Sequence, residues 1–247
     1  MTKYKIGITE RGDAGLDLSW TNKLNSVNGA VIITKELTSG CREALLEHKG
    51  KVILHATITG WGGTVIEPCV PPAADTLTEV VELVEDGFPM NQVVIRIDPV
   101  IPSIEGIDRM LDVLERSYAN GFTRFRTSVV DMYPHARRRF KAAGLPLPYG
   151  EGFSPSKDIL AEVDRKLQYF QRFHHNTRIE ACAEPGLTSA VQCGCISSYD
   201  LTLLGLEDDD APGGYQRGNC LCYSGKKELL ENKARCPHQC LYCYWRD

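Results

Sequence analysis

The sequence has no run of apolar residues that approaches the roughly 20 needed to cross a bilayer, so it offers no membrane span. Residues 1–7 also lack the apolar stretch and the small-residue cleavage site of a secretory signal. We therefore expect a cytoplasmic chain with no membrane partner.

An excess of charge of one sign is also missing. The 28 Lys and Arg residues nearly balance the 32 Asp and Glu residues, and the net charge is -4. This composition argues against a disordered chain and against a strongly basic nucleic-acid module. No Gly-x-Gly-x-x-Gly sequence or Walker loop follows a predicted strand, so the usual nucleotide-binding signatures are absent.

Cysteine is scarce in the first 181 residues, which hold two of the ten, and dense in the last 66, which hold eight. In a reducing compartment such density favours metal binding or redox chemistry over structural disulfides. A chain of 247 residues is also long enough to build a core without them.

Short β-branched segments alternate with helical patterns before the cysteine-rich tail, which predicts an α/β fold. The six predicted strands are residues 3–9, 30–35, 51–59, 93–99, 123–130 and 177–182. Strands separated by helices form parallel right-handed units, so six units indicate a doubly wound sheet or an open part-barrel. In both architectures the reactive side chains follow the carboxyl ends of the strands.

The segment from Cys236 to Cys243 has the spacing Cys-x3-Cys-x2-Cys. Three thiolates on one short loop can ligate three irons of a cubane cluster and leave the fourth iron open to S-adenosylmethionine. Tyr242 would offer a flat apolar face to the adenine. A zinc site is the alternative, although zinc modules prefer paired Cys-x2-Cys units closed by four ligands.

The tail string CPHQCLYCYWR resembles the cluster loop of the radical S-adenosylmethionine superfamily, in particular its spore photoproduct lyase-like branch. Three body segments resemble that branch too: ITKELTSGCREALL, LHATITGWGGTVIEPCVPP and VVIRIDPVIPS. In those relatives the cluster loop follows the first strand, whereas here Thr9-Glu-Arg-Gly-Asp follows it. The order resembles a bacterial family of unknown function with its radical-type cysteines at the C-terminus.

This resemblance implies an open (β/α)6 partial TIM barrel over residues 1–183 and a cysteine-rich segment over 184–247, packed on the barrel mouth. It implies a four-iron cluster on Cys236, Cys240 and Cys243, with S-adenosylmethionine beside Tyr242. Further residues implied to line the cofactor pocket are Thr57, Thr59, Glu67, Arg96 and Asp98. No catalytic residue that contacts substrate is predicted.

The same resemblance implies a second, auxiliary four-iron cluster. Its predicted ligands are Cys182, Cys195, Cys220 and Cys222, with Cys193 left over. A zinc site and unligated thiols are the alternatives.

The implied activity is reductive cleavage of S-adenosylmethionine to a 5′-deoxyadenosyl radical that abstracts hydrogen, with a flavodoxin or ferredoxin as electron donor. The basic segment Tyr133–Lys141 favours a nucleic acid or nucleotide as substrate. A peptide or small metabolite is the second possibility, and a non-catalytic iron–sulfur or zinc protein is the third.

Overall fold

The structure, a computed structural model, describes residues 4–207, 212–214, 220–223, 225–231 and 236–244. Its centre is a curled half-barrel sheet of eight parallel strands in the order β10-β1-β2-β3-β4-β5-β6-β7. These strands are β1 (Tyr4–Ile8), β2 (Val27–Thr34), β3 (Val52–Thr57), β4 (Val93–Val100), β5 (Arg124–Val129), β6 (Arg178–Cys182), β7 (Val191–Cys193) and β10 (Lys226–Glu228). A short antiparallel pair consists of β8 (Pro212–Gly214) and β9 (Cys222–Tyr223).

Helices connect the strands as the sequence predicts for parallel units. They are α1 (Trp20–Lys23), α2 (Ser39–Glu47), α3 (Ala73–Glu85), α4 (Ile104–Ala119), α5 (Pro134–Ala142), α6 (Lys157–Phe173) and α7 (Ser198–Leu203). Within the described residues, none of them combines the length and the apolar run that a bilayer crossing requires.

The six predicted strands are all present, but the first helix is shorter than predicted. The sequence predicts a helix from Ser19 to Val27, but α1 ends at Lys23 and a single 3-10 turn follows. Val27 already pairs with β1, so strand pairing replaces the last helical turn. Thr38 caps α2 through its hydroxyl oxygen, which accepts from the Cys41 amide at 3.3 Å.

Two strands from the cysteine-rich tail extend the sheet beyond the six predicted strands. β10 pairs with β1 through Ile6 and Lys226, and β7 pairs with β6 through Cys182 and Cys193. The tail thus occupies both edges of the sheet. Because parallel strands end at the same edge, the chain leaves β10 beside the carboxyl end of β1.

Helices α2, α3, α4 and α6 cover one face of the sheet with the main apolar core. The opposite, concave face is apolar at β1 and β2, where Ile6, Ile8 and Val31 pack against Ile196 and Leu201 of the tail. This packing holds the α7 region inside the curl.

The same face is charged at β5 and β6. Arg124 contacts Glu180 at 3.0 Å and Asp200 at 2.6 Å, and Arg126 contacts Glu180 at 2.6 Å. Asp200 also forms a capping box with Ser197 at the start of α7. All of these groups are buried, so α7 is joined to the sheet by desolvated ion pairs as well as by apolar contacts.

Candidate metal and cofactor site

The terminal cysteine loop docks on the carboxyl edge of the half-barrel through a small apolar cluster. Cys240 and Tyr242 are buried there against side chains from the segments that follow β3, β4 and β5: Trp61, Ile66, Val70, Ile101, Val130 and Met132, with Phe140 of α5. The Leu241 amide also donates to the Ile66 carbonyl at 2.9 Å. The loop thus lies where reactive groups of parallel α/β proteins are found.

His238 fixes the loop to the end of β1. Its Nε2 lies 2.9 Å from Asp13 Oδ2 and its Nδ1 lies 3.0 Å from the Cys69 carbonyl oxygen. Both ring nitrogens therefore face acceptors, an arrangement that the doubly protonated ring satisfies. Burial lowers the pKa of His238, but the Asp13 carboxylate outweighs burial and the net pKa is raised.

Asp13 also orients the backbone around it. Its carboxylate accepts from the Gly15 amide at 2.8 Å and from the Lys35 amide at 2.7 Å. Sequence reasoning assigned no role to Asp13 or His238. The available signal was the string Thr9–Asp13, which occupies the position where the radical enzymes that the sequence resembles carry their cluster loop.

Arg139 of α5 holds the loop from the other side. Its Nη1 donates to the Cys240 carbonyl at 3.2 Å, and its Nη2 donates to the Cys243 carbonyl at 2.8 Å. Arg137 and Lys141 of the same helix contact the Glu151 carboxylate at 3.3 and 2.8 Å. Arg137, Arg139 and Lys141 belong to the basic segment that is predicted to bind nucleic acid. All three side chains make contacts within the protein.

Glu67 gathers the predicted pocket residues Thr59 and Tyr242. It accepts from the Thr59 hydroxyl at 2.7 Å and from the Tyr242 hydroxyl, and Lys35 Nζ lies 2.7 Å from its Oε1. Its side chain is 1% exposed. Burial raises the pKa of Glu67, but the Lys35 ammonium and the hydrogen bonds outweigh it and hold the carboxylate ionised.

Arg96 and Asp98 form a further pair of charged side chains in β4. They form an ion pair with each other, Asp98 accepts from Ser128, and Arg96 lies opposite Thr57 in the β3–β4 register. Burial lowers the pKa of Arg96, but Asp98 and the nearby Cys195 thiol together raise it. Thr57 itself is buried at the end of β3.

All ten cysteines are described and none forms a disulfide. In the terminal loop, burial raises the pKa of Cys240 to about 12, against the opposing charge of Lys35. Burial raises the pKa of Cys236 as well. Coordination of a metal would displace the protons of these thiols.

A second group of cysteines meets where β6 and β7 end. Cys182 Sγ lies 3.9 Å from Cys195 Sγ, and the Cys195 amide donates to Cys222 Sγ at 3.0 Å. Hydrogen bonds from Cys182 and Cys195 lower the pKa of Cys222 to about 4. Three of the four predicted auxiliary ligands are therefore neighbours.

Glu10 joins this group, although sequence reasoning did not include it. Its carboxylate and the sulfur atoms of Cys195 and Cys222 lie within 4.8 Å of one another. Among the residues that the structure describes, neither Cys220 nor Cys182 belongs to this set of three, although the Cys182 sulfur lies 3.9 Å from that of Cys195. Glu10 is a polar residue just beyond the end of β1, the kind of position that is often functional in parallel sheets.

A family model described as a domain of unknown function, DUF1848, matches residues 19–245. The chain belongs to the DUF1848 family. This match covers most of the half-barrel and both cysteine groups of the DUF1848 chain. The family description names no activity or cofactor, so the kinship with radical enzymes stays a prediction.

The comparison with solved structures includes "Crystal structure of a putative lyase/mutase from Burkholderia cenocepacia J2315". That protein is 14% identical, and the match covers 84% of the DUF1848 chain and 75% of the other chain with a TM-score of 0.26. A likeness at this level carries no inference about activity. No curated protein matches the chain.

Proposed function

We propose that this DUF1848 protein is a radical S-adenosylmethionine enzyme whose cluster is held by Cys236, Cys240 and Cys243. The observation that best supports this proposal is the position of the three-cysteine loop at the carboxyl edge of a parallel half-barrel. The donor set fits an iron–sulfur cluster, because thiolates are its usual ligands and these three thiols share one loop without disulfides. When bound, the cluster would supply one electron to S-adenosylmethionine and so generate a 5′-deoxyadenosyl radical.

The protein's own residues would orient that chemistry. His238 and Arg139 fix the loop from opposite sides through Asp13 and through two loop carbonyls. Tyr242 is the proposed neighbour of the adenine, and its hydroxyl is anchored on Glu67. The apolar cluster around Cys240 excludes water from one side of the loop.

The remaining pocket residues support the proposal by their charge. Lys35 lies 5.5 Å from the centre of the Tyr242 ring and offers a cation beside the site. Arg96 has two guanidinium nitrogens, Nε and Nη1, that are buried without a hydrogen-bond partner among the described residues. An anionic group such as the cofactor carboxylate would satisfy them. Electrons are proposed to come from a flavodoxin or ferredoxin.

Anaerobic reconstitution of the full chain with iron and sulfide tests this proposal. Iron and acid-labile sulfide are quantified, then dithionite and S-adenosylmethionine are added and 5′-deoxyadenosine is measured. We expect product from the wild type and from Cys41→Ala, whose buried thiol belongs to α2, and none from Cys240→Ala. Equal product from Cys240→Ala, or none from the reconstituted wild type, contradicts the proposal.

The substrate is proposed to be a nucleic acid or nucleotide, with a peptide or small metabolite as the alternative. Binding of a short DNA or RNA duplex measured over a range of salt concentrations separates these classes. Phosphate contacts give a steep decrease in affinity with salt. Absence of binding at low salt excludes the nucleic-acid class and leaves the proposed radical chemistry untouched.

A further inference from the structure

Four ligand-bearing side chains from separate segments converge at the carboxyl edge of the sheet. Glu10 follows β1, Cys182 ends β6, Cys195 follows β7 and Cys222 begins β9. The sulfur atoms of Cys182 and Cys195 are 3.9 Å apart. A carboxylate oxygen of Glu10 and the sulfur atoms of Cys195 and Cys222 lie within 4.8 Å of one another.

We infer that Glu10, Cys182, Cys195 and Cys222 bind a single divalent metal ion of the zinc type. Zinc–sulfur bonds of about 2.3 Å in tetrahedral geometry place two sulfur ligands about 3.8 Å apart, close to the separation of Cys182 and Cys195. A four-iron cluster attaches each cysteine to a different iron and so holds the sulfur atoms farther apart. This inference does not depend on the chemistry proposed for the terminal loop.

Polar groups surround the proposed ligands. The Cys195 amide donates to Cys222 Sγ, and Arg126 donates to the Cys195 carbonyl at 2.6 Å. Lys226 contacts both carboxylate oxygens of Glu10, at 2.7 and 2.8 Å. Such second partners orient metal ligands and tune their basicity.

Charge also favours an ion at this point. Three thiolates and one carboxylate would leave a large negative charge in a mostly buried place, and Lys226 and Arg96 offset part of it. A divalent cation reduces the remainder. The segments that carry Cys195 and Cys222 approach closely at Gly194. A Cβ atom at this position would lie only 2.6 Å from the Cys222 Cα, so the approach requires glycine.

Metal analysis of a full-length protein that lacks the terminal-loop thiols tests the inference. The background is the triple variant Cys236→Ser, Cys240→Ser, Cys243→Ser, so that a failure of the radical proposal has no influence on the result. We expect one zinc or iron ion per chain and no acid-labile sulfide. Four irons with sulfide, or no metal, overturns the inference.

Titration of the metal-free triple variant with Co²⁺ tests the ligand set. We expect intense sulfur-to-cobalt charge transfer and the visible bands of tetrahedral Co²⁺ at one ion per chain. Cys195→Ser should raise the Co²⁺ dissociation constant by more than about 100-fold and Glu10→Gln by about 10-fold or more, whereas Cys220→Ser should leave it unchanged. Loss of Co²⁺ binding in Cys220→Ser, or unchanged Co²⁺ binding in Glu10→Gln, would contradict the proposed set of four ligands.

The cobalt spectrum of the triple variant keeps the inference testable even if Glu10→Gln fails to fold. Three thiolates and one oxygen ligand give less charge-transfer intensity than four thiolates. An intensity typical of four thiolates therefore rejects Glu10 as a ligand.

Discussion

His238 and Asp13 are 225 positions apart in sequence, yet His238 Nε2 lies 2.9 Å from Asp13 Oδ2. Asp13 lies shortly after β1, where the radical enzymes that this sequence resembles carry their cluster loop. The contact places the C-terminal loop beside the segment that follows β1. This contact can form because β10, the last strand before the loop, is a parallel neighbour of β1.

Asp13→Asn should weaken the attachment of the terminal loop, because the amide cannot replace the carboxylate opposite a charged imidazole. We expect a loss of about 1–3 kcal/mol in the free energy of unfolding, measured by urea denaturation of the metal-free protein. Asp108→Asn, at an exposed position of α4, should change it by less than about 0.5 kcal/mol. Similar values for the two variants would show that the pair does not hold the loop.

Arg139→Lys should loosen the loop, because one ammonium group cannot reproduce two guanidinium hydrogen bonds to separate carbonyls. We expect faster release of iron to a chelator from the reconstituted protein. Arg137→Lys is the matched control on the same helix and should behave like the wild type. Equal rates of iron release from the wild type and both variants would show that Arg139 does not hold the loop in place.

Tyr242 offers a test that separates its ring from its hydroxyl. Tyr242→Phe keeps the proposed adenine face and should change the affinity for S-adenosylmethionine by less than about threefold, with a stability loss of about 0.5–1.5 kcal/mol from the hydrogen bond to Glu67. Tyr242→Ala should weaken binding by at least about tenfold. Isothermal titration of the reconstituted variants measures their affinities for S-adenosylmethionine. Equal affinities of Tyr242→Phe and Tyr242→Ala would exclude a role for the ring.

Asp200→Ala should be strongly destabilising, since it leaves Arg124 and Arg126 buried with one carboxylate fewer. Removal of one partner from a buried ion pair costs about 3–5 kcal/mol. Chemical denaturation measures the loss, and Asp158→Ala at an exposed position of α6 provides the comparison. A loss below about 1 kcal/mol would mean that the ion pairs do not fix α7 inside the curl.

Asp164 of α6 should make stability depend on pH. Burial raises the pKa of Asp164, but hydrogen bonds from Ser189 and Thr188 outweigh it and lower the pKa below its ordinary value. The bonds therefore stabilise the fold above the unfolded value of about 3.9, and the gain is lost as pH falls through the lowered pKa. The stability difference between wild type and Asp164→Asn should be largest near pH 7 and shrink below about pH 4. A difference that does not change with pH would contradict this assignment.

The residues that the family resemblance covers were predicted irrespective of their separation in sequence. Thr59, Glu67 and Tyr242 were predicted together and do meet, although Tyr242 lies 175 positions from Glu67. Glu10 and Asp13 were missed because no motif in the sequence links them to their partners in the tail. Cys195 and Cys222 were predicted as neighbours, and the structure brings them together beside Glu10.

The sequence by itself determined the alternation of strands and helices and the spacing of the terminal cysteines, because each depends on residues only a few positions apart. Only the tertiary structure decided that the tail supplies both edge strands. β10 is Lys-Lys-Glu and carries no apolar alternation, so its strand conformation comes from pairing with β1. Contacts between chain ends, such as Lys226 to Glu10 and His238 to Asp13, exist because β10 pairs with β1 and so places the tail beside the residues that follow β1.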